Sequence, residues 1–309
     1  MVSSEQQTFA MPKRKRGLIR RTRGEVVFDT VNVLFLLGVA FATLYPFYYI
    51  FIVSISSGIA VLNRQVSFFP RDVTLIAYEL LMDYPLLWSS YRNTLLYVSV
   101  GTAINLGVTA LCAYPLSKKR FVFRRTFMFL IVLTMFFQGG MIPLYMVVRR
   151  LGILNSIWAI TLPTAVHTFY MIIMRTFFQG IPEDLTESAY IDGANDIFVF
   201  IRIILPLSTP ILATLTLFYA VNHWNSFLPA LIYLRSASKY PLQIFLRNMV
   251  VDGSMGELAN EMGGGSDFFA IDTTVKYAAI IYTTAPILIL YPFLQKYFVK
   301  GMMIGSLKG

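Results

Sequence analysis

Few side chains in this 309-residue chain have the types and spacing to do chemistry. His167 and His223 lie far apart, each in a stretch without acids. Neither has a nearby carboxylate to orient it as a base, so each reads as a hydrogen-bonded structural residue. Cys112 is the only cysteine, which excludes a disulfide and a Cys-rich metal site; it reads as a small buried apolar residue. No GxxxxGK[ST] segment is present to cradle nucleotide phosphates. No catalytic, cofactor or metal site is therefore expected. Polar groups gather in one place instead. The stretch 183–210, EDLTESAYIDGANDIFVFIRIILPLSTP, carries Glu183, Asp184, Glu187, Asp192 and Asp196 between two long uncharged segments. Carboxylates on a short polar insert suit recognition by a partner protein, with an ordinary acidic loop between apolar segments as the plainer alternative.

The insert must be held in a defined shape to act in that way. Pro182 fits a first helical turn, where its missing N–H costs nothing, and Glu183 and Asp184 favour the positive end of the helix dipole. The helix is expected to run to about Ile191 and to break at Gly193, which adopts left-handed backbone cheaply. A second helix from about Asn195 leads into the next apolar segment and is interrupted at Pro206. On the first helix Leu185, Ser188, Ala189 and Asp192 share one face by i, i+3, i+4, i+7 spacing. The small side chains at 188 and 189 would let a partner approach the backbone, with Glu187 beside them as a charged handle.

The chain around this insert has the composition of a membrane protein. It is 56% hydrophobic and only 14% charged, with a mean hydropathy of +0.63, where soluble proteins carry roughly 25% charged residues. Uncharged runs predict six membrane-spanning helices near 30–54, 93–116, 126–148, 155–176, 204–226 and 277–297, each close to the ~20 residues needed to cross hydrocarbon. No alternation typical of barrel strands is present. Seven basic residues precede the first span and five fill KKRFVFRR between the second and third. By the positive-inside rule both termini and the acidic insert are cytoplasmic, which also accounts for most of the net charge of +10. Nucleic-acid binding by the basic tail is disfavoured because no folded basic domain follows it. The basic start and long apolar run read as a retained anchor rather than a cleaved leader.

The expected organisation is a basic cytoplasmic segment, 1–25, followed by a membrane domain, 26–309. External segments fall at 55–92 and 227–276, and the coupling region at 180–202. Within 55–92, DVTLIAYELLMD has helical periodicity and predicts a short surface helix. Gly263, Gly264 and Gly265 in GELANEMGGGSDF predict a flexible stretch in the second external segment. Pro115, Pro143, Pro163, Pro210 and Pro286 are expected to kink or end helices. Gly101, Ala103, Gly107 and Ala110 offer small surfaces for close helix approach. No ionisable pair sits at membrane depth to drive an ion-coupled transporter, and the convergent polar groups of a membrane-embedded enzyme are missing. The membrane part reads as a conduit driven from outside itself.

The insert also carries a longer pattern. Permease subunits of binding-protein-dependent ATP-binding-cassette importers have a cytoplasmic motif E-A-A-x3-G-x9-I-x-L-P. This chain resembles it at every spacing, with Glu187, Ser188, Ala189, Gly193, Ile203, Leu205 and Pro206, and departs from it at Ser188 alone. SYRNTLLYVSVGTAINLGVTALCAYPLSKKRF, NHWNSFLPALIYL and the ending QKYFVKGMMIGSLKG resemble the carbohydrate branch, with maltose-type MalG subunits and, nearer still, LplC/YtcP-like oligosaccharide permeases. The resemblance covers about residues 28–309. It implies an all-α type I importer fold of the MalG/MetI kind with cytoplasmic coupling helices and no ATPase site of its own. It also implies a second permease subunit, two ATPase subunits and an extracytoplasmic solute-binding protein, in a bacterial inner or plasma membrane. The seven motif residues would form the joint with an ATPase cleft. Lys300 to Gly309 would lie near the same interface, and 227–276 would face the binding protein. The implied mechanism is alternating access, and the implied cargo is fragments of plant or algal polysaccharide such as alginate or pectin oligosaccharides. In maltose-type systems the other permease subunit holds the membrane sugar site, and no sugar-contact residue is assigned here. Amino acids or polyamines as cargo are disfavoured by the C-terminal resemblance.

Overall fold

The computed structural model describes residues 22–137, 139–252 and 266–306, and among them the regular structure is helical throughout. The chain divides into two compact units, one up to Tyr49 and the other from Ile50 onward. The first unit consists of most of α1 (Arg23–Ser54). Its start is a reciprocal cap: the Thr22 amide donates to Glu25 (2.8 Å) and the Glu25 amide to the Thr22 hydroxyl (3.3 Å), which satisfies two orphan donors at once. Apolar residues surround this helix on every side, as lipid or protein neighbours require. The hydroxyls of Thr30 and Thr43 bond back to carbonyls four residues earlier, so neither is left unpaired.

The second unit is built around α4 (Pro85–Ser117), an unbroken helix of 33 residues. Short helices α2 (Gly58–Leu62) and α3 (Ile76–Met82) precede it, and α3 lies within the expected surface helix. Then follow α5 (Arg124–Phe136), α6 (Met141–Arg150), α7 (Ile157–Thr161) and α8 (Thr168–Gln179). The acidic insert supplies α9 (Asp184–Ile191) and α10 (Asp196–Val199). A π-turn over Phe200–Ile204 leads into α11 (Leu205–Leu207) and α12 (Thr209–Trp224). The rest is α13 (Leu228–Tyr233), α14 (Leu242–Arg247) and α15 (Ser266–Ser306). Around α4 gather α8, α12 and α14. One apolar cluster joins the second half of α4 to α8 and α12, and another joins its first half to α3, α14 and α15.

Three helical segments are long and apolar enough to cross a membrane: α1, α4 and residues 270–290 of α15. Two bent pairs, α5 with α6 and the 196–207 segment with α12, raise the number to five if each pair is one span. The expected span at 155–176 is not continuous, because residues 162–167 separate α7 from α8. A charge-free run fixes the length available for crossing but not where the helix breaks, and Pro163 and Gly140 fall at these breaks. Pro210 opens α12, whereas Pro115 and Pro286 sit inside helices that continue past them.

Pro286 shows how such a residue is accommodated. Its ring nitrogen cannot donate to the carbonyl of Tyr282, four residues back. The hydroxyl of Tyr91 on α4 does so instead, at 2.6 Å. Of the small residues on α4, Gly101 and Ala110 are buried while Ala103 and Gly107 face outward. Gly101 is where the His223 ring packs, and a Cβ there would overlap it. His223 is 4% exposed and its Nε2 lies 2.6 Å from Asn105 Oδ1, the structural role expected for it. The described part of the segment expected to be external, 227–276, is largely helical and tied to α4. The Asn93 amide donates to the carbonyls of Ser238 (2.8 Å) and Tyr240 (3.2 Å), and Tyr97 donates to that of Lys239 (2.7 Å). The expected flexible stretch lies mostly outside the described residues.

Two double-mutant cycles test these contacts. Tyr91→Phe should destabilise the protein by about 1–3 kcal/mol, the cost of an orphaned buried carbonyl. Adding Pro286→Ala should recover much of that loss, because the new amide closes the ladder itself. Gly101→Ala should cost about 1–3 kcal/mol by overpacking and be partly relieved by His223→Ala. Thermal unfolding of the purified protein in detergent measures both; additive losses in either cycle would contradict the assigned contact.

Candidate functional site

The acidic insert folds as two short helices joined at a defined corner. Helix α9 begins one turn after Gly180, with Pro182 just ahead of it and Glu183 at the cap position. Asp184 and Glu187 occupy its first turn, where the helix dipole favours negative charge. Its end is a Schellman turn. Gly193 has φ +85°, its amide donates to the Tyr190 carbonyl (3.0 Å), and the Ala194 amide reaches back to the Ala189 carbonyl (2.9 Å). Both bonds need left-handed backbone at 193, which explains the glycine. A Cβ there would meet no atom within 4 Å, so the constraint is backbone conformation rather than space. Two residues on, the Asn195 side chain accepts the Phe198 amide at 2.8 Å and caps α10.

Beyond α10 the ladder loosens before it turns. The Leu205 amide donates to the Phe200 carbonyl, five residues back, as a π-turn requires. This widened turn comes immediately before Pro206, which has no N–H to offer the regular ladder. The chain then bends by 80° between the 196–207 segment and α12. The polar corner is thereby joined directly to a helix that packs on α4.

The sequence-predicted residues divide between two surfaces. Glu187, Ser188 and Gly193 are exposed, and so is Pro206. Ala189, Ile203 and Leu205 are half-buried against the chain's own core around α4, α8 and α12. The small side chain at 189 thus permits close packing inward, and that at 188 leaves the outer face open. Leu185 and Asp192 are exposed as well. Other outward residues could not be singled out beforehand. Ile191 is 86% exposed and Ile197 69%, and with Phe198 they set apolar surface beside the carboxylates. The i+4 relation of Ile191 to Glu187 was the one sequence signal for this.

A second set of residues holds the corner in place, and local sequence gives no sign of it. Lys119 pairs with Glu183 at 2.9 Å, and Arg120 pairs with Asp196. Arg120 also donates to the Tyr190 hydroxyl at 3.0 Å and stacks over its ring at 4.7 Å. The Tyr190 hydroxyl in turn donates to Asp196 Oδ1 at 2.6 Å. On the α4 side, the Arg175 Nε donates to the Leu116 carbonyl at 2.8 Å, which satisfies one of the last carbonyls of that helix. Contact with Lys119 holds the Glu183 carboxyl below its ordinary range. Burial and then the bond to Asp196 push the Tyr190 phenol up, so it stays a donor throughout the physiological range. Among the described residues no group of three His, Cys, Asp or Glu side chains could hold a metal ion. The arrangement is chemically quiet and mechanically specific: an acidic and apolar corner, fixed at its base and open outward.

The family described as the inner membrane component of binding-protein-dependent transport systems matches residues 52–304. The chain is similar to the polygalacturonan/rhamnogalacturonan transport system permease protein YtcP of Bacillus subtilis, 41% identical over 92% of this chain and 99% of that protein. It is similar to protein LplC of the same organism, 42% identical over 94% of this chain and 98% of that one. Among solved structures, a bacterial ABC transporter involved in the import of the acidic polysaccharide alginate has a chain that superposes with a TM-score of 0.83. That match is 37% identical and covers 90% of this chain and 99% of the other. The match spans the acidic corner and nearly all the described helices, and the chain belongs to the family of inner membrane components of binding-protein-dependent transport systems.

Proposed function

We propose that this chain is one of two permease subunits of an ATP-driven importer, and that the α9–α10 corner is its joint with an ATPase subunit. The observation that carries the reading is the outward surface of the corner. Glu187 and Ser188 share α9 with exposed Ile191, and the Schellman turn that ends this helix leads to exposed Ile197 on α10. Apolar surface this exposed, interleaved with carboxylates, suits neither lipid nor bulk water and fits a protein cleft. Glu187, Ser188 and Gly193 would form the contact. Ala189, Ile203, Leu205 and Pro206 would tie it to the membrane helices. Six spans result if α7 and α8 together make the fourth, with both termini and the corner cytoplasmic and residues 55–92 and 227–276 outside. Residues 1–25 would then be a basic segment at the inner leaflet, and 26–309 the transport domain.

In this reading ATP closes the paired ATPases, the corner moves with them, and the spans reopen toward an external solute-binding protein. Hydrolysis returns the path inward. Directionality requires that nucleotide states bind the two conformations with different affinity. The cargo proposed is short uronate-containing oligosaccharides. One relative is named for polygalacturonan/rhamnogalacturonan transport, and a solved relative is described as involved in import of the acidic polysaccharide alginate, which supports this class.

Glu187→Lys should abolish retention of the ATPase subunits during purification, or leave ATP hydrolysis unlinked to uptake, while the chain still inserts. Gly193→Pro should do the same, since proline can neither adopt φ +85° nor donate the turn's hydrogen bond. Gly193→Asn should retain most activity, because asparagine tolerates left-handed backbone. Normal uptake by both Glu187→Lys and Gly193→Pro would refute the joint. For cargo, vesicles holding the full complex and its binding protein should accumulate oligogalacturonate but not maltotriose. Accumulation of maltotriose alone would refute the acidic class.

A further inference from the structure

We propose that the loop following α4 is a two-point brace that makes α4 and the coupling corner move as one body, with Arg120 as its principal positioning residue. The proposal rests on the coupling role assigned to the corner above. The juxtaposition is specific. Lys119 and Arg120 are adjacent in sequence, yet they grip opposite ends of the corner. Lys119 holds Glu183 just before α9, and Arg120 holds Asp196 just after Gly193. The motif residues Glu187, Ser188, Ala189 and Gly193 all lie between these two points.

The two grips differ in character. Both ion pairs are solvent-exposed, so each is screened by salt and fixes little by itself, and Lys119 has no second contact to the corner beside its pair with Glu183 among those described. Arg120 makes three contacts that share partners: an ion pair to Asp196, a hydrogen bond to the Tyr190 hydroxyl, and stacking on the Tyr190 ring. Tyr190 closes the triangle by donating to the same Asp196 oxygen that Arg120 pairs with. The guanidinium plane is thus fixed by a ring on α9 and a carboxylate on α10 together. A lysine could supply the charge but not this planar fork.

The brace continues into the membrane helices. The Tyr114 hydroxyl on α4 lies 3.5 Å from that of Tyr190, and its ring packs against Phe200 at 4.8 Å and Phe178 at 6.4 Å. Force applied to α9 therefore has two routes inward. One follows the backbone through the π-turn and the 80° bend, a compliant path. The other crosses directly to the end of α4, which has no such break. The direct route carries motion to α4 without first straightening the bend.

Spin labels at Asp184→Cys on α9, outside the proposed ATPase contact, and Leu111→Cys on α4, in a Cys112→Ser background, test this in the assembled complex with its ATPase subunits. In the otherwise native chain the distance between labels should change by less than about 2 Å, the scale of small helix shifts, when ATP binds. Arg120→Asp should broaden the distance distribution and make it depend on nucleotide. Asp196→Arg should do likewise, and the Arg120→Asp/Asp196→Arg pair should restore a narrow distribution. Tyr190→Phe, which keeps the ring, should give an intermediate breadth. A merely structural role would lower yield without creating a nucleotide-dependent distance. Should charge reversal prevent assembly, Arg120→Lys and Tyr190→Phe give the same readout. A native-chain distance that shifts with ATP, or variants that leave it narrow, would overturn the brace. A chain that purifies without any ATPase overturns the coupling reading and the brace together.

Discussion

An unpaired backbone carbonyl in hydrocarbon costs several kcal/mol, and the architecture of this chain follows from meeting that requirement wherever a helix is interrupted. Helix α4 is the element that meets it. Its Tyr91 serves the carbonyl that Pro286 leaves open in α15, and its Asn105 donates to the Thr164 carbonyl in the break between α7 and α8. Thr109 bonds the Tyr219 hydroxyl at 2.8 Å, which in turn accepts the His167 amide at 3.3 Å, where α8 begins. One continuous helix therefore lets its neighbours be discontinuous. A bundle of six straight helices would not need these side chains, and it would have fewer places to bend.

The same helix explains why the corner at the other end can be both exposed and fixed. In the proposed role the contact residues would be exposed in the isolated chain, and Ile191, Ile197 and Glu187 are exposed. Its backbone must still be determined before the partner arrives. The Schellman turn at Gly193, the Asn195 cap and the inward packing of Ala189 provide local definition. Lys119, Arg120 and Tyr190 then anchor the corner to α4 from outside. Definition and exposure are separated onto different residues of one short segment, so neither compromises the other.

The segment KKRFVFRR illustrates how one stretch can satisfy two demands. Its positive charge would set the orientation of the chain by the energetics of insertion, which read only the number of basic residues. Its individual members then take separate partners. That second use is invisible in a charge count, because Glu183 and Asp196 are more than sixty positions away. The helix boundaries at Ile191 and Gly193 were legible because capping and left-handed backbone are local, whereas the break at 162–167 was not. A proline there is compatible with either a kinked span or a gap, and a gap needs a side chain such as Asn105 near enough to take a carbonyl it leaves open, here that of Thr164.

Composition, uncharged run lengths and the seven-residue motif were sufficient to establish a helical membrane protein of the permease class with a polar corner before its fifth apolar segment. These are properties of solvent preference and of local backbone chemistry, and such properties are written along the chain in order. The tertiary structure alone decided which motif residues face outward and which inward, where spans are broken, and which basic residues hold the corner. Those outcomes depend on side chains brought together from distant parts of the sequence, and only the packed fold sets the distances between them.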